Sequence, residues 1–216
     1  MKNKLKVFSV IILALVMVFA FAGCGKKTEA PAEEAPAEET AEEEAPAETE
    51  PAVELKYGYN GDDPVIAEVY SYAANALSVN YEEAEHHIPI VQIVNVDDSD
   101  ESDIKVCGDF WVLNYNVEGD TLKCVSGGNY PGMMHVEKTD EGYKVKDMQV
   151  TEDGGNFESS AKEIFGDNYE AFSKINSDSD AREKIRAEII AEYVRQNGLS
   201  VTKYQDEGWD PVDIPL

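Results

Sequence analysis

The stretch Ile104-Lys105-Val106-Cys107-Gly108-Asp109-Phe110-Trp111-Val112-Leu113-Asn114-Tyr115-Asn116-Val117 decides the fold. Rich in β-branched and aromatic residues, it reads as one long strand. Successive side chains of a strand point to opposite faces. Val106, Phe110 and Val112 therefore share one face, and Cys107, Trp111, Leu113, Tyr115 and Val117 share the other. Both faces are apolar, so the sheet must be covered, or lined for a ligand, on both sides.

The flanking sequence supplies the covers. Upstream, Asp62-Asp63-Pro64 offers a carboxylate N-cap and a proline for the first turn of a helix. Ile66, Val69, Tyr70, Ala73 and Leu77 then recur at helical spacing and give that helix one buried face. Residues 88–96 predict a strand, and the hydrophilic run 97–103 predicts a turn. Downstream, Glu118-Gly119-Asp120 turns the chain into a strand at 122–125, and residues 127–132, with three glycines and a proline, predict a wide loop. Strands at 133–137 and 143–150, joined by a turn at Asp140-Glu141-Gly142, complete an antiparallel meander.

Beyond Gly154-Gly155 the apolar period becomes helical again. Short helices form around Ala161, Ile164 and Phe165, and around Tyr169, Phe172 and Ile175. A capping box of Asp180 and Glu183 opens a long helix whose Ile185, Ile189, Ile190, Tyr193 and Val194 face inward, and Asn197-Gly198 closes it. Residues 199–204 predict a last extended segment, and Trp209 falls in an irregular tail. The expected class is α+β: an N-terminal helix packed on an antiparallel four- to five-stranded meander, followed by C-terminal helices.

This fold occupies one of three unlike segments. The 216 residues carry a net charge of −26, distributed as +3 over 1–23, −8 over 24–52 and −21 over 53–216. The last segment is long enough for a single domain. At that charge it repels polyphosphate, which argues against nucleic acid as a partner.

Lys2, Lys4 and Lys6 form a basic start, and residues 7–22 follow with Ser9 as their only polar member. Sixteen residues suit the apolar core of an export signal better than a membrane span, which needs about 20. Ala22-Gly23-Cys24 then resembles the lipobox of bacterial lipoproteins. That resemblance implies cleavage before Cys24, a diacylglycerol-modified Cys24 as the mature N-terminus, and a protein anchored in the cell membrane on its extracytoplasmic face. Membrane lipid is then the first partner. Two or more acyl chains anchor stably where a single chain is marginal.

From 26 to 52 the chain is Glu, Ala, Pro and Thr with almost nothing else, and Ala-Pro-Ala-Glu recurs at 30–33, 35–38 and 45–48. Lacking apolar side chains to bury, it is expected to be a disordered tether. Fully extended, at about 3.1 Å per residue, it reaches roughly 80 Å.

The helix-then-meander order of 53–216 is similar to the cystatin-like and NTF2-like architecture. Residues 108–116 and 126–135 also resemble small cell-surface lipoproteins of gut clostridia, Gram-positive bacteria, and that resemblance names no reaction.

Several residue groups suggest chemistry. With Cys24 lipidated, Cys107 and Cys124 remain as one possible disulfide. A two-residue turn at Glu118-Gly119 makes paired positions sum to 237 and sets Cys124 opposite Leu113. Cys107 is then roughly 20 Å away, beyond disulfide reach, so both cysteines are expected reduced. His86 and His87, beside three glutamates, read as a solvated helix end rather than a metal site, because adjacent side chains diverge. Residues 97–103 place no glycine or glutamate where an EF-hand needs them, and Ser126 lacks the elbow of a hydrolytic nucleophile. No catalytic motif, cofactor or metal is therefore assigned.

Trp111, Tyr115, Tyr130 and His135 form the candidate ligand site: two aromatics on one strand face and two residues flanking the glycine-rich stretch. Three functions stay open: a ligand-binding or protein-interaction module for an unknown small molecule or surface protein, a surface hydrolase acting on wall or nutrient polymers, and a structural accessory protein with a filled core.

Overall fold

A computed structural model describes residues 57–216, and Pro51–Leu216 is a compact unit in its own right. The export signal, Cys24 and the tether to residue 52 all lie outside the described residues. The unit is α+β, as expected: a curled mixed sheet with helices on both faces. Among the described residues no helix is long and apolar enough to cross a membrane.

The first helix, α1 (Pro64–Tyr72), starts where the sequence places it. Asp63 Oδ1 accepts the backbone N–H groups of Val65 at 2.9 Å and Ile66 at 3.4 Å, and Pro64 occupies the first turn, where no N–H is needed. The helix runs on through a π-helical turn, Ala73–Leu77, and a 3₁₀ turn, Ser78–Asn80. Asn114 pins its end to the sheet, donating from Nδ2 to the carbonyls of Ser78 and Glu82.

Four long strands follow: β1 (His86–Asp97), β2 (Ile104–Glu118), β3 (Thr121–Thr139) and β4 (Gly142–Val150). They pair antiparallel in sequence order. Next come α2 (Phe157–Phe165), α3 (Tyr169–Ser177), α4 (Ser179–Gln196) and two short strands, β5 (Lys203–Gln205) and β6 (Val212–Asp213). β5 joins the start of β3 in parallel, so the sheet is mixed rather than purely antiparallel.

The two faces of β2 divide as the alternation predicts. Val106, Phe110 and Val112 are buried in the main core with Val65, Val69 and Val145. Each such side chain contributes about 1.5–3 kcal/mol through burial. Cys107, on the opposite face, packs in a second core with Ala161, Phe165 and Phe172, where the two phenylalanine rings stack at 4.0 Å.

Four expectations are corrected. Residues 127–132 are not a wide loop but the middle of the 19-residue β3. Their glycines are sites of close approach rather than turns. A side chain at Gly128 would collide with the Tyr81 hydroxyl, and one at Gly132 with the Gln149 carbonyl. The β2–β3 turn is Gly119-Asp120, with Gly119 at φ 65°, so Glu118 pairs with Thr121 and Cys124 faces Tyr115. Val125 is then an extra, bulged residue that shifts the register, and Leu113 pairs with Gly127. Cys107 pairs with Met133, and both described cysteines are free. The cap of α4 is Asp178, accepting from Ala181 N–H at 2.9 Å, two residues before the expected box. His86 and His87 open a strand instead of ending a helix, with their ring nitrogens on Tyr193 and Asn114 respectively.

Candidate functional site

Between β5 and β4 the outer edge of β3 has no strand partner among the described residues. Beside that gap, on the face of Trp111 and Leu113, lies a groove of about 390 Å³. Its floor is Ile90, Trp111 and Leu113, and one wall is the β3 backbone from Cys124 to Gly128. Arg182, Glu183 and Arg186 of α4 form the opposite wall, and Asp206 and Glu207 close one end. Small-molecule sites span roughly 300–1,000 Å³ and combine an apolar floor with a few fixed polar groups, which this groove does.

Arg186 is the most constrained of those groups. It is 7% exposed and forks onto Asp206, Nη1 to Oδ2 at 2.8 Å and Nη2 to Oδ1 at 2.5 Å. The same guanidinium donates to the Tyr115 hydroxyl at 2.7 Å and lies 5.0 Å from the centre of the Tyr204 ring. Burial works against its charge, but the Asp206 bond and the Tyr115 contact outweigh it and raise its pKa. The Arg186 hydrogen bonds hold the Asp206 carboxyl below its ordinary range, while burial pushes the Tyr115 phenol far up. Cys124 is raised to about 11, by burial first and by Asp206 second, so it is a thiol rather than a nucleophile.

A second polar group lies on the same sheet face, one step along β2. Asp109 is 0% exposed, and neither carboxylate oxygen has a hydrogen-bond partner. Around it are three more buried atoms without partners: Gln92 Nε2, Trp111 Nε1 and Asn129 Oδ1. The register explains their grouping, since Gln92 pairs with Asp109 and Asn129 with Trp111. Burial raises the Asp109 pKa, and the side chains of Trp111 and Asn129, close enough to favour its charge though too poorly aligned for full hydrogen bonds, oppose that shift only partly together with the Arg182 charge. Arg182 places its guanidinium carbon 5.2 Å from the centre of the Trp111 ring and donates to the Asn176 carbonyl at 3.2 Å.

The four residues of the sequence-derived site do not converge. Trp111 lies in the groove floor, and Tyr115 lies beneath Arg186. Tyr130 is on the other sheet face, edge-on to Tyr81 and bonded to its hydroxyl at 2.7 Å. His135 sits toward the far end of β3, where its Nδ1 meets Asp103 at 2.8 Å beside Lys146. Ser126 donates to the Glu82 carbonyl and is nine residues from His135 on one strand, roughly 30 Å, so the two form no catalytic pair. In the acidic turn, Asp97 and Asp100 each accept from the backbone and hydroxyl of a serine two residues on. Among the described residues no three His, Cys, Asp or Glu side chains converge as a metal site.

Arg186 and Arg182 of the groove, and Asp109 buried beside its floor, are the residues that pattern reading misses. The available signal is positional. Arg186 lies on the same helical stripe as Ile189, Ile190 and Tyr193, and Asp109 lies between Cys107 and Trp111 on a covered strand face.

Compared with protein-family models, curated proteins and solved structures, the chain matches none.

Proposed function

We propose that this chain is a lipoprotein held on the extracytoplasmic face of the cell membrane through Cys24, and that its α+β domain binds a small molecule in the groove over Trp111. The domain belongs, on this reading, to the cystatin-like and NTF2-like plan: a helix laid across a curled meander, here extended by α2 to α4 and by a parallel strand. The observation that supports the binding role is the groove itself, an aromatic floor under a buried, doubly bonded arginine. A purely structural accessory protein has no need to hold such a charge at a cleft, because a buried ion pair stabilises a fold no better than apolar packing.

Two measurements test the two halves. Metabolic labelling with a fatty acid should mark the wild type and not Cys24→Ser, and the variant should leave the membrane fraction; retention of unlabelled Cys24→Ser would refute the anchor. Thermal shift of residues 51–216 against wall fragments, sugars and small organic ions should find a stabilising ligand whose effect disappears in Trp111→Leu. A ligand equally effective on that variant would place binding elsewhere.

A further inference from the structure

Resting on the binding role proposed above, the geometry points to the charge of the guest: we propose that the groove takes a small organic cation, an amine or guanidinium with an apolar body. The Asp109 carboxyl has no exposed surface and neither oxygen has a hydrogen bond of good geometry, so when ionised its charge rests on the Arg182 guanidinium nearby. It shares its sheet face with Trp111, whose ring already faces a guanidinium, that of Arg182. A cation over an indole beside a carboxylate is the usual chemistry of ammonium recognition. Arg182 therefore occupies the position that a guest cation would take, held there by the charge of Asp109 and by a hydrogen bond to the Asn176 carbonyl. Asn129 Oδ1 adds an unpartnered acceptor at the same place.

The charge around the groove favours the same sign. Glu183, Asp206 and Glu207 line it, and Arg186 is already matched by Asp206. The domain as a whole carries −21 over residues 53–216, a field that attracts cations and repels anions. The guest displaces Arg182 from the ring, lays its apolar body on Leu113 and Ile90, and turns its charge toward Asp109.

Three probes of equal size separate charge from shape: 2-phenylethylamine, 2-phenylethanol and phenylacetate, titrated by calorimetry into residues 51–216, the compact unit that contains both cores. The amine should bind at least about tenfold more tightly than the alcohol, equivalent to ~1.4 kcal/mol, and phenylacetate should bind most weakly. Asp109→Asn should erase the preference for the amine while leaving the alcohol unchanged, and Arg182→Ala, which removes the internal competitor, should tighten the amine. Equal binding of all three, lost in Trp111→Leu, would leave a binding groove and overturn the cation assignment. Tightest binding of phenylacetate, abolished by Arg182→Ala, would overturn it in favour of an anion. Binding of none of them at millimolar concentration would overturn both this assignment and the groove as a small-molecule site.

Discussion

Arg186 on α4 and Asp206 in the C-terminal segment, 20 residues apart, form a bidentate ion pair that closes one end of the groove. The two partners are unequally buried, with side chains 8% and 42% exposed. Their removal should therefore be unequal. Asp206→Ala leaves the buried guanidinium with only Glu183 at 3.5 Å and the Tyr115 hydroxyl, and because Asp206 is itself 42% exposed the cost should fall below the fully buried range, at about 1–3 kcal/mol. Arg186→Met leaves a half-exposed carboxylate that water can solvate, so it should cost clearly less. Urea unfolding of both variants measures the order. The pKa of Asp206 is depressed by Arg186, so the pair's contribution is full above the ordinary carboxylate range and is lost as pH falls through the depressed value.

Asp109 should behave in the opposite sense. Burial raises its pKa above 3.8, so the folded protein holds this proton more tightly than the unfolded chain. Stability then falls as pH rises from 3.8 through the raised value, and the deficit is complete above it. Asp109→Asn removes a buried charge while keeping the shape of the side chain, and should stabilise the unliganded domain at neutral pH. The gain should vanish below pH 3.8. Thermal melts at both pH values check the sign, and destabilisation at neutral pH would show that Asp109 is structurally paired.

At the far end of the sheet, Asp103 receives His135 and Lys146 and has its pKa lowered to about 2, chiefly by the His135 hydrogen bond. Its stabilisation is present above 3.8 and is lost as pH falls through about 2. Asp103→Asn should move the acid-unfolding midpoint upward and change little in groove binding. An unchanged midpoint would mean that this exposed cluster contributes nothing, as many surface ion pairs do.

The free cysteines give a readout of order. Cys107 lies in the second core and Cys124 lines the groove with a pKa raised to about 11. Native residues 51–216 should resist alkylation at neutral pH and take up two equivalents in urea, and a groove ligand should slow Cys124 further. Reduction-dependent labelling without unfolding would reveal a disulfide and contradict the register.

Much of the fold was legible because its signals are local. The Asp63-Pro64 helix start, the alternation of β2 and the helical return after Gly155 each depend on a few neighbouring residues, and each stands in the structure. The glycine-rich middle of β3 was not legible, because its glycines answer to Tyr81, Val112 and Gln149, which are remote in sequence. The β2–β3 register differs first at the turn, Gly119-Asp120 rather than Glu118-Gly119, which moves every pair by two residues, and the extra residue at Val125 then adds one more shift that leaves no mark in a pattern of period two. Trp111 was placed by its strand face among the candidate pocket residues, and it lies in the groove floor. Its companions Arg182 and Arg186 were not, since their position over that face depends on how α4 crosses the sheet.

The most direct test of the central claim is a crystal structure of residues 51–216 soaked with 2-phenylethylamine. The phenyl ring should lie on the groove floor against Leu113 and Ile90, the ammonium between the Trp111 ring and the Asp109 carboxylate, and Arg182 should be turned away from the indole. An amine bound outside the groove, or an Arg182 still seated over Trp111 with the guest beside it and Asp109 without a partner, would contradict it.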